Sequence, residues 1–257
     1  MDKNYGCDVA LLSVTATEYA AVRHFHAWEE FRSPGDEQAY ERTVFTRDGR
    51  EYRLLHARCG EMGMTVAAAL TMKLICTFRP HYLIMVGIAA GVALTEVAEQ
   101  IYGDVIVPDV VWNYAVGKFV SPEAAFITYG DVGFLPRSTS VAVPEEILSC
   151  VREAAASPEN QCHVLVGPMA CGSTVVANRK VLDKQVYSQF KGTMGLDMES
   201  YAVVYAALHA PEPRPLPLVV KSVCDYANSE KSDQYQKFAA YTSCEFAKLL
   251  YEKYLPL

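Results

Sequence analysis

Four carboxylates stand where the sequence is otherwise apolar. They are Glu18 in "SVTATEYAAV", Asp197 and Glu199 in "TMGLDMESYAVVYAA", and Asp225 in "VVKSVCDYA". A carboxylate buried alone is costly, so each must hold something. Carboxyl groups accept hydrogen bonds from hydroxyls and move protons. Lys221 lies in the same apolar run as Asp225. It either snorkels from an edge or pairs with buried carboxylates. Structural roles stay open for all of these. Glu18 can stabilise a helix N-terminus through the macrodipole, Asp225 can cap the next helix, and "GIAAGV" (87–92) can be a packing turn.

Other chemistries find little support. The eight cysteines form no CxxC pair and have no metal-ligand spacing, so we expect them to be reduced and buried. No metal site and no organic cofactor is expected. "GIAAGV" is not a GxGxxG fingerprint and no GK[ST] follows it. There is no HExxH, and no Ser-His-Asp arrangement is evident. His24, His26, His56 and His209 are set aside as lying on an early helix or near element ends. The net charge of −7 argues against nucleic-acid binding but leaves room for a small anionic ligand. No apolar run reaches the roughly 20 residues of a membrane span. The N-terminus "MDKNYGCDVALL" has no signal-peptide layout. A cytoplasmic protein is expected.

Strands and helices alternate along the chain. "DVALLSVT" reads as a buried strand and "ATEYAAVRHFHAW" as a helix. "YERTVFTRDGREYRLLHARCG" reads as two strands joined at Asp48-Gly49. "GMTVAAALTMKLICTF" is a buried helix stopped before Pro80, and "HYLIMVGIAAGV" a buried strand. "GDVIVPDVVWNYAVGKF" is a further strand with a bend or an edge at Pro108. Residues 121–144 read as loops carrying a lid or a subunit contact. "PEEILSCVREAAA" is a helix, "CHVLVGPMACG" a strand, and "NRKVLDKQVYSQF" a helix capped by Asn178. A strand–helix unit follows, then the strand "PRPLPLVVKSVCDYAN" and a last helix. This order implies one α/β domain over 1–257, in three α/β/α layers with a mixed, mainly parallel sheet. In such folds the ligand sits beyond the carboxyl ends of the strands. Glu18, Gly87–Gly91, Asp197 with Glu199, and Asp225 all fall at such ends.

These segments resemble the nucleoside phosphorylase and nucleosidase superfamily, over nearly the whole chain and in order. The resemblance is carried by "VALLSVTATEYAAV", "CGEMGMTVAAALTMKLICTFRPHYLIMVGIAAGV", "YGDVIVP", "GLDMESYAVVYAA" and "VVKSVCDYAN". It implies that Glu199 accepts hydrogen bonds from the ribose 2′- and 3′-hydroxyls and that Met198 lines the sugar pocket. Asp225 would be the general acid at purine N7, and Glu18 would position and deprotonate the attacking water. The backbone at Val175 and Val176 would face the base. Gly87, Ala90 and Lys221 are the remaining expected substrate-binding positions. A homo-oligomer is implied, with Phe126 or Tyr129 as candidates to complete a neighbour's pocket.

Phosphorolysis needs a cationic, hydroxyl-rich phosphate site. The phosphorylases resembled here carry an arginine after the first strand, another before the glycine turn, and a serine within it. This chain has no arginine before Arg23, has Met85 and Val86 before Gly87, and has Ile88 at the serine position. A nucleosidase is therefore expected, with methylthioadenosine or S-adenosylhomocysteine as leading substrates. The chain also departs from those nucleosidases. Lys221 stands for an arginine, Cys224 for a serine, and Thr174 and Val175 for the aromatic that stacks on adenine. Some phosphorylase-like domains of fungal and bacterial immune proteins, which the chain also resembles, act on adenine nucleotides. Lys118, Arg137 and Lys231 would then be phosphate contacts. A phosphate-dependent phosphorylase and a non-catalytic nucleoside-binding module are the other readings.

Overall fold

A computed structural model of the chain describes residues 4–92, 100–229 and 232–257. The first strand, β1 (Cys7–Ser13), leads directly into α1 (Ala16–His24). Thr15 caps this helix by accepting the Glu18 N–H, and the Glu18 side chain returns to the Thr15 N–H. This reciprocal capping box fixes the turn between strand and helix. α1 ends at His24, so His26 lies beyond it. A short strand, β2 (Glu29–Arg32), precedes the hairpin of β3 (Ala39–Arg47) and β4 (Arg50–Arg58). Asp48 and Gly49 both have positive φ, 53° and 77°, as a tight two-residue hairpin turn requires. The Ala-rich α2 (Met64–Phe78) stops at Arg79, which is left-handed, just before Pro80. β5 (Pro80–Gly91) follows and is buried along nearly its whole length.

The middle of the chain is more finely divided than its sequence suggests. Pro108 ends one strand, β6 (Val105–Val107), and β7 (Val110–Asn113) starts afresh. Next come β8 (Gly117–Val120), β9 (Ile127–Tyr129) and β10 (Val132–Pro136), which form a small antiparallel sheet in the order β8-β10-β9. β11 (Thr139–Ala142) then pairs with β7. The expectation of loops over 121–144 is thus corrected. The turn-rich composition marks the tight connections of three very short strands. After α3 (Glu145–Ala156), the run "CHVLVGPMACG" breaks at Gly167-Pro168 into β12 (Val164–Val166) and β13 (Met169–Cys171). Asn178 caps α4 (Arg179–Leu182) as expected, but the helix widens into a π-turn over Asp183–Tyr187. β14 (Gly195–Asp197), α5 (Ser200–Leu208), β15 (Leu216–Asp225) and α6 (Gln236–Leu249) complete the order.

β5 organises the large mixed sheet. It pairs in parallel with β1 along one edge and with β15 along the other. β4 lies parallel beyond β1, and the β3–β2 hairpin arm continues antiparallel. At its carboxyl end, β5 also meets β14 antiparallel through Ala90 and Gly91. This third partner carries the sheet on through β13 and β7 to β11. β5 therefore forks, and the carboxyl ends of β1, β5 and β15 open toward the fork. α2 packs on α5 and α1 packs on α6, giving layers around the sheet. The main core lies under β1, β4, β5 and β15, and a smaller apolar cluster gathers Trp112, Tyr114, Val176, Leu182 and Leu196. No helix among the described residues is long and apolar enough to cross a membrane. No disulfide joins any of the eight cysteines; Cys76 is exposed and Cys150 and Cys162 are only partly covered, so burial holds for five of them.

Candidate active site

A cavity of about 240 Å³ opens at the fork. Its walls come from Val14, Thr15 and Glu18 after β1, Ile88–Ala90 of β5, Thr174–Val176 after β13, Leu196–Glu199 at the β14–α5 junction, and Cys224 and Asp225 of β15. Met62 and Gln236 stand at its edge.

Glu18 is both a helix cap and a wall of this cavity. Its Oε2 accepts the N–H groups of Val14 at 2.9 Å and Thr15 at 2.7 Å, and its Oε1 accepts the Ile88 N–H at 2.8 Å. Three backbone donors hold the carboxylate in one orientation and leave Oε1 one acceptor position. Gly87 makes this possible, because a Cβ there would collide with the Glu18 carboxylate.

Glu199 sits where β14 passes into α5, and its Oε1 accepts the Gly63 N–H at 2.8 Å. Behind both glutamates lies Lys221, fully buried in β15. Its Nζ is 3.7 Å from Glu18, 3.7 Å from Asp197 and 3.9 Å from Glu199. Asp197 also accepts the Ser200 N–H and, at 2.6 Å, its hydroxyl, which anchors the start of α5. One lysine therefore faces three carboxylates. Burial alone would lower the Lys221 pKa, but the carboxylates outweigh it and hold the ammonium charged well above the usual lysine range. Burial pushes Glu199 up to about 7; Lys221 and the Gly63 N–H oppose the rise, and Asp197 and Glu18 add to it.

Asp225 closes the far side. The β15–β5 register shifts between Val223 and Asp225, so Val223 faces Ala89 and Asp225 faces Ala90. Such an irregularity re-aims a side chain, here placing Asp225 on the cavity wall. Its Oδ1 accepts the Ala227 N–H at 2.9 Å, and the Cys224 thiol is 3.5 Å from Oδ2. The wall nearby is small and apolar: Ala89, Ala90, Thr174, Val175 and Val176.

The residues singled out in the sequence are thus only partly gathered. Glu18, Ala90, Val175, Val176, Met198, Glu199 and Asp225 line one cavity. Gly87 and Lys221 lie behind it and support Glu18 rather than forming the wall. Phe126 and Tyr129 line two other cavities of the same chain. Lys118 and Arg137 are exposed and outside the cavity wall, and Lys231 lies outside the described residues. Thr15, Met62, Gly63 and Gln236 were not expected. Thr15 was within reach, since Thr15 and Glu18 have the spacing of a capping box. The others depend on which loops meet.

A family model described as the phosphorylase superfamily matches residues 8–255. The chain belongs to the phosphorylase superfamily. Among solved structures of similar fold is an S-adenosylhomocysteine nucleosidase from Streptococcus pyogenes, 19% identical with a TM-score of 0.76, covering 100% of this chain and 99% of that one. A 5′-methylthioadenosine/S-adenosylhomocysteine nucleosidase from Helicobacter pylori is 17% identical with a TM-score of 0.75, covering 97% and 100%. A futalosine hydrolase from the same species is 18% identical with a TM-score of 0.74, covering 96% and 98%. At these identities the likeness concerns the fold. An uncharacterised protein, y4jS, of Sinorhizobium fredii is 28% identical over 230 residues. The match takes in 86% of this phosphorylase-superfamily chain and 54% of that protein, so the chain spans about half the length of its curated relative.

Proposed function

We propose that this chain hydrolyses the N-glycosidic bond of a purine nucleoside, with methylthioadenosine, S-adenosylhomocysteine or a related adenosine compound as substrate. One observation carries the reading. Glu18 and Asp225 stand on one cavity with Glu199, and no arginine or lysine among the described residues lines that cavity. The carboxylates suit proton transfer and sugar binding, whereas a phosphate co-substrate would need cationic donors. The nucleosidases among the solved structures of similar fold support the same direction.

In this reading Glu199 accepts the ribose 2′- and 3′-hydroxyls and Met198 packs against the sugar. As the C1′–N9 bond lengthens, its electron pair moves onto the purine and positive charge gathers on the ribose. Asp225 gives a proton to N7, or shares one with it, which neutralises the leaving base. Glu199 and Glu18 stabilise the cationic sugar electrostatically. Water adds its oxygen to C1′ and passes a proton to Glu18 Oε1. Two carboxylates then act on opposite sides of the scissile bond, as in glycoside hydrolysis. Val175, Val176 and Ala90 enclose the base.

The test is release of free base from adenosine, methylthioadenosine, S-adenosylhomocysteine, inosine, AMP and ATP, each with and without phosphate. Phosphate-independent release from a nucleoside is expected. Strict dependence on phosphate would replace hydrolysis by phosphorolysis. Turnover confined to AMP or ATP would move the substrate class to nucleotides. A folded protein that turns over none of them would be a binding module.

A further inference from the structure

A second cluster of ionisable groups lies on the other side of β1 from the cavity, and the chemistry above does not use it. Ser13 Oγ is 2.9 Å from His56 Nε2, and His56 Nδ1 is 2.8 Å from Glu41 Oε2. The order Ser–His–Glu looks like a hydrolase triad, but Ser13 and His56 are fully buried. A surface cavity of about 280 Å³ beside the cluster is lined by His56 and Glu41 and not by Ser13. No substrate reaches the hydroxyl, so a nucleophile is the wrong role.

The connections of the cluster give a different one. Glu41 Oε1 accepts the Tyr19 hydroxyl at 2.9 Å, and Tyr19 is the residue after Glu18. Ser13 is the residue before Val14, and Val14 and Thr15 supply two of the N–H donors that hold Glu18. We propose that Glu41, His56 and Ser13 form a positioning relay that clamps both sides of the Glu18 turn and so fixes the carboxylate that receives the proton from water. This inference rests on the hydrolase reading above.

The proton pattern is consistent along the relay. Burial lowers the His56 pKa, so the ring is neutral near pH 7 despite Glu41. With one ring proton, Nδ1–H donates to Glu41 and Nε2 accepts from Ser13. Burial would raise Glu41, but hydrogen bonds from His56 and Tyr19 and the charge of Arg23 hold it below its ordinary value. Arg23 is 3.3 Å from Glu41, Arg58 lies over the Tyr19 ring, and Trp28 packs beside His56. These groups face the relay from α1, β4 and the α1–β2 connection, and Glu30 of β2 lines the same surface cavity.

Ser13→Ala and Tyr19→Phe each remove one hydroxyl and leave the sugar and base contacts intact. For both, kcat for base release should fall about tenfold or more, since a small misplacement of a reacting group is expensive, while KM stays within about twofold of wild type. A change of melting temperature alone would move neither ratio. Variants with wild-type kcat, beside an active wild type, would overturn the relay and leave the hydrolase reading standing. An inactive wild type would overturn that reading and the relay's purpose with it.

Discussion

The two ends of the cavity, which the proposed function assigns to the sugar and to the base, are built on different principles. At the sugar end, Glu18, Asp197 and Glu199 gather around Lys221, almost wholly out of solvent. Every carboxylate there has a backbone or hydroxyl donor as well as the lysine. The base end has one carboxyl group, a thiol and a wall of small apolar side chains, with Val175 half exposed. The first is over-determined and tolerates little change. The second is sparse, and a single side chain can reshape it. In the proposed reading the first region holds the sugar and the second sets the choice of base.

The largest effect should come from the one carboxyl group at the base end. Asp225→Asn keeps the shape and the bond to Ala227 but cannot deliver a proton. We expect kcat for base release to fall about 10²- to 10⁴-fold with a smaller change in KM, the range typical of a lost general acid. Retained turnover would remove Asp225 from that role and reduce the base end to a passive wall.

Next in size is a change at the sugar end that alters folding first. Lys221→Met leaves three buried carboxylates without their cation. Breaking such a cluster by removing one partner costs about 3–5 kcal/mol. Denaturant unfolding at pH 7 should show a loss of this order, and the loss should shrink at acid pH as the carboxylates take up protons. A neutral substitution would mean that the four groups are not coupled as their distances imply.

The sequence carried these two ends unequally. The strand–helix alternation, the buried strands and the carboxylates at strand ends were legible, because burial on both faces leaves continuous apolar runs in which a charge stands out. The fork in β5 was not legible. It depends on β14 pairing with only Ala90 and Gly91, too short a contact to leave a pattern. The strands β8, β9 and β10 were hidden for a similar reason, since strands of three to five residues leave little alternation to read. The Glu41–His56 pair was readable and was passed over. A two-residue turn at Asp48-Gly49 pairs Arg47 with Arg50, and counting outward from there puts Glu41 opposite His56. His56 looked like an element end only while it was considered without its partner strand.

Glu199 gives a third, pH-dependent measure of the sugar end. Its pKa of about 7 in the folded chain is above the ordinary glutamate value, with burial as the main cause. The protonated form is therefore favoured by folding. Its contribution to stability is complete below the ordinary carboxylate range and is lost as pH rises from there through about 7. Sugar binding runs the other way, because two ribose hydroxyls need an ionised acceptor. Nucleoside affinity should weaken by about fivefold between pH 7 and pH 6, while stability rises. Glu199→Gln should lose both dependences, bind nucleoside weakly at every pH and keep its fold. Isothermal titration and thermal melts across pH 5–8 separate the two trends. A nucleoside affinity that is flat across this range would place the hydroxyl acceptor elsewhere.

The smallest effect probes the permissive end directly. Val175 is 50% exposed, so a larger side chain there meets no packed core. It also stands between the reaction cavity and a second cavity lined by Tyr114, Tyr129 and Phe134, which shares Thr174, Val175 and Val176 with the first. Val175→Phe places a ring where the base wall is now a small side chain. An aromatic contact of this kind is worth about 0.5–1.5 kcal/mol. KM for purine nucleosides should fall about two- to tenfold, with kcat and melting temperature nearly unchanged. The gain should be similar for adenosine and inosine, since stacking does not read exocyclic groups. If instead KM rises for every nucleoside, the base already occupies the space that Val175 leaves open. The base end would then be as tightly specified as the sugar end, by shape instead of charge, and the contrast between the two would fail.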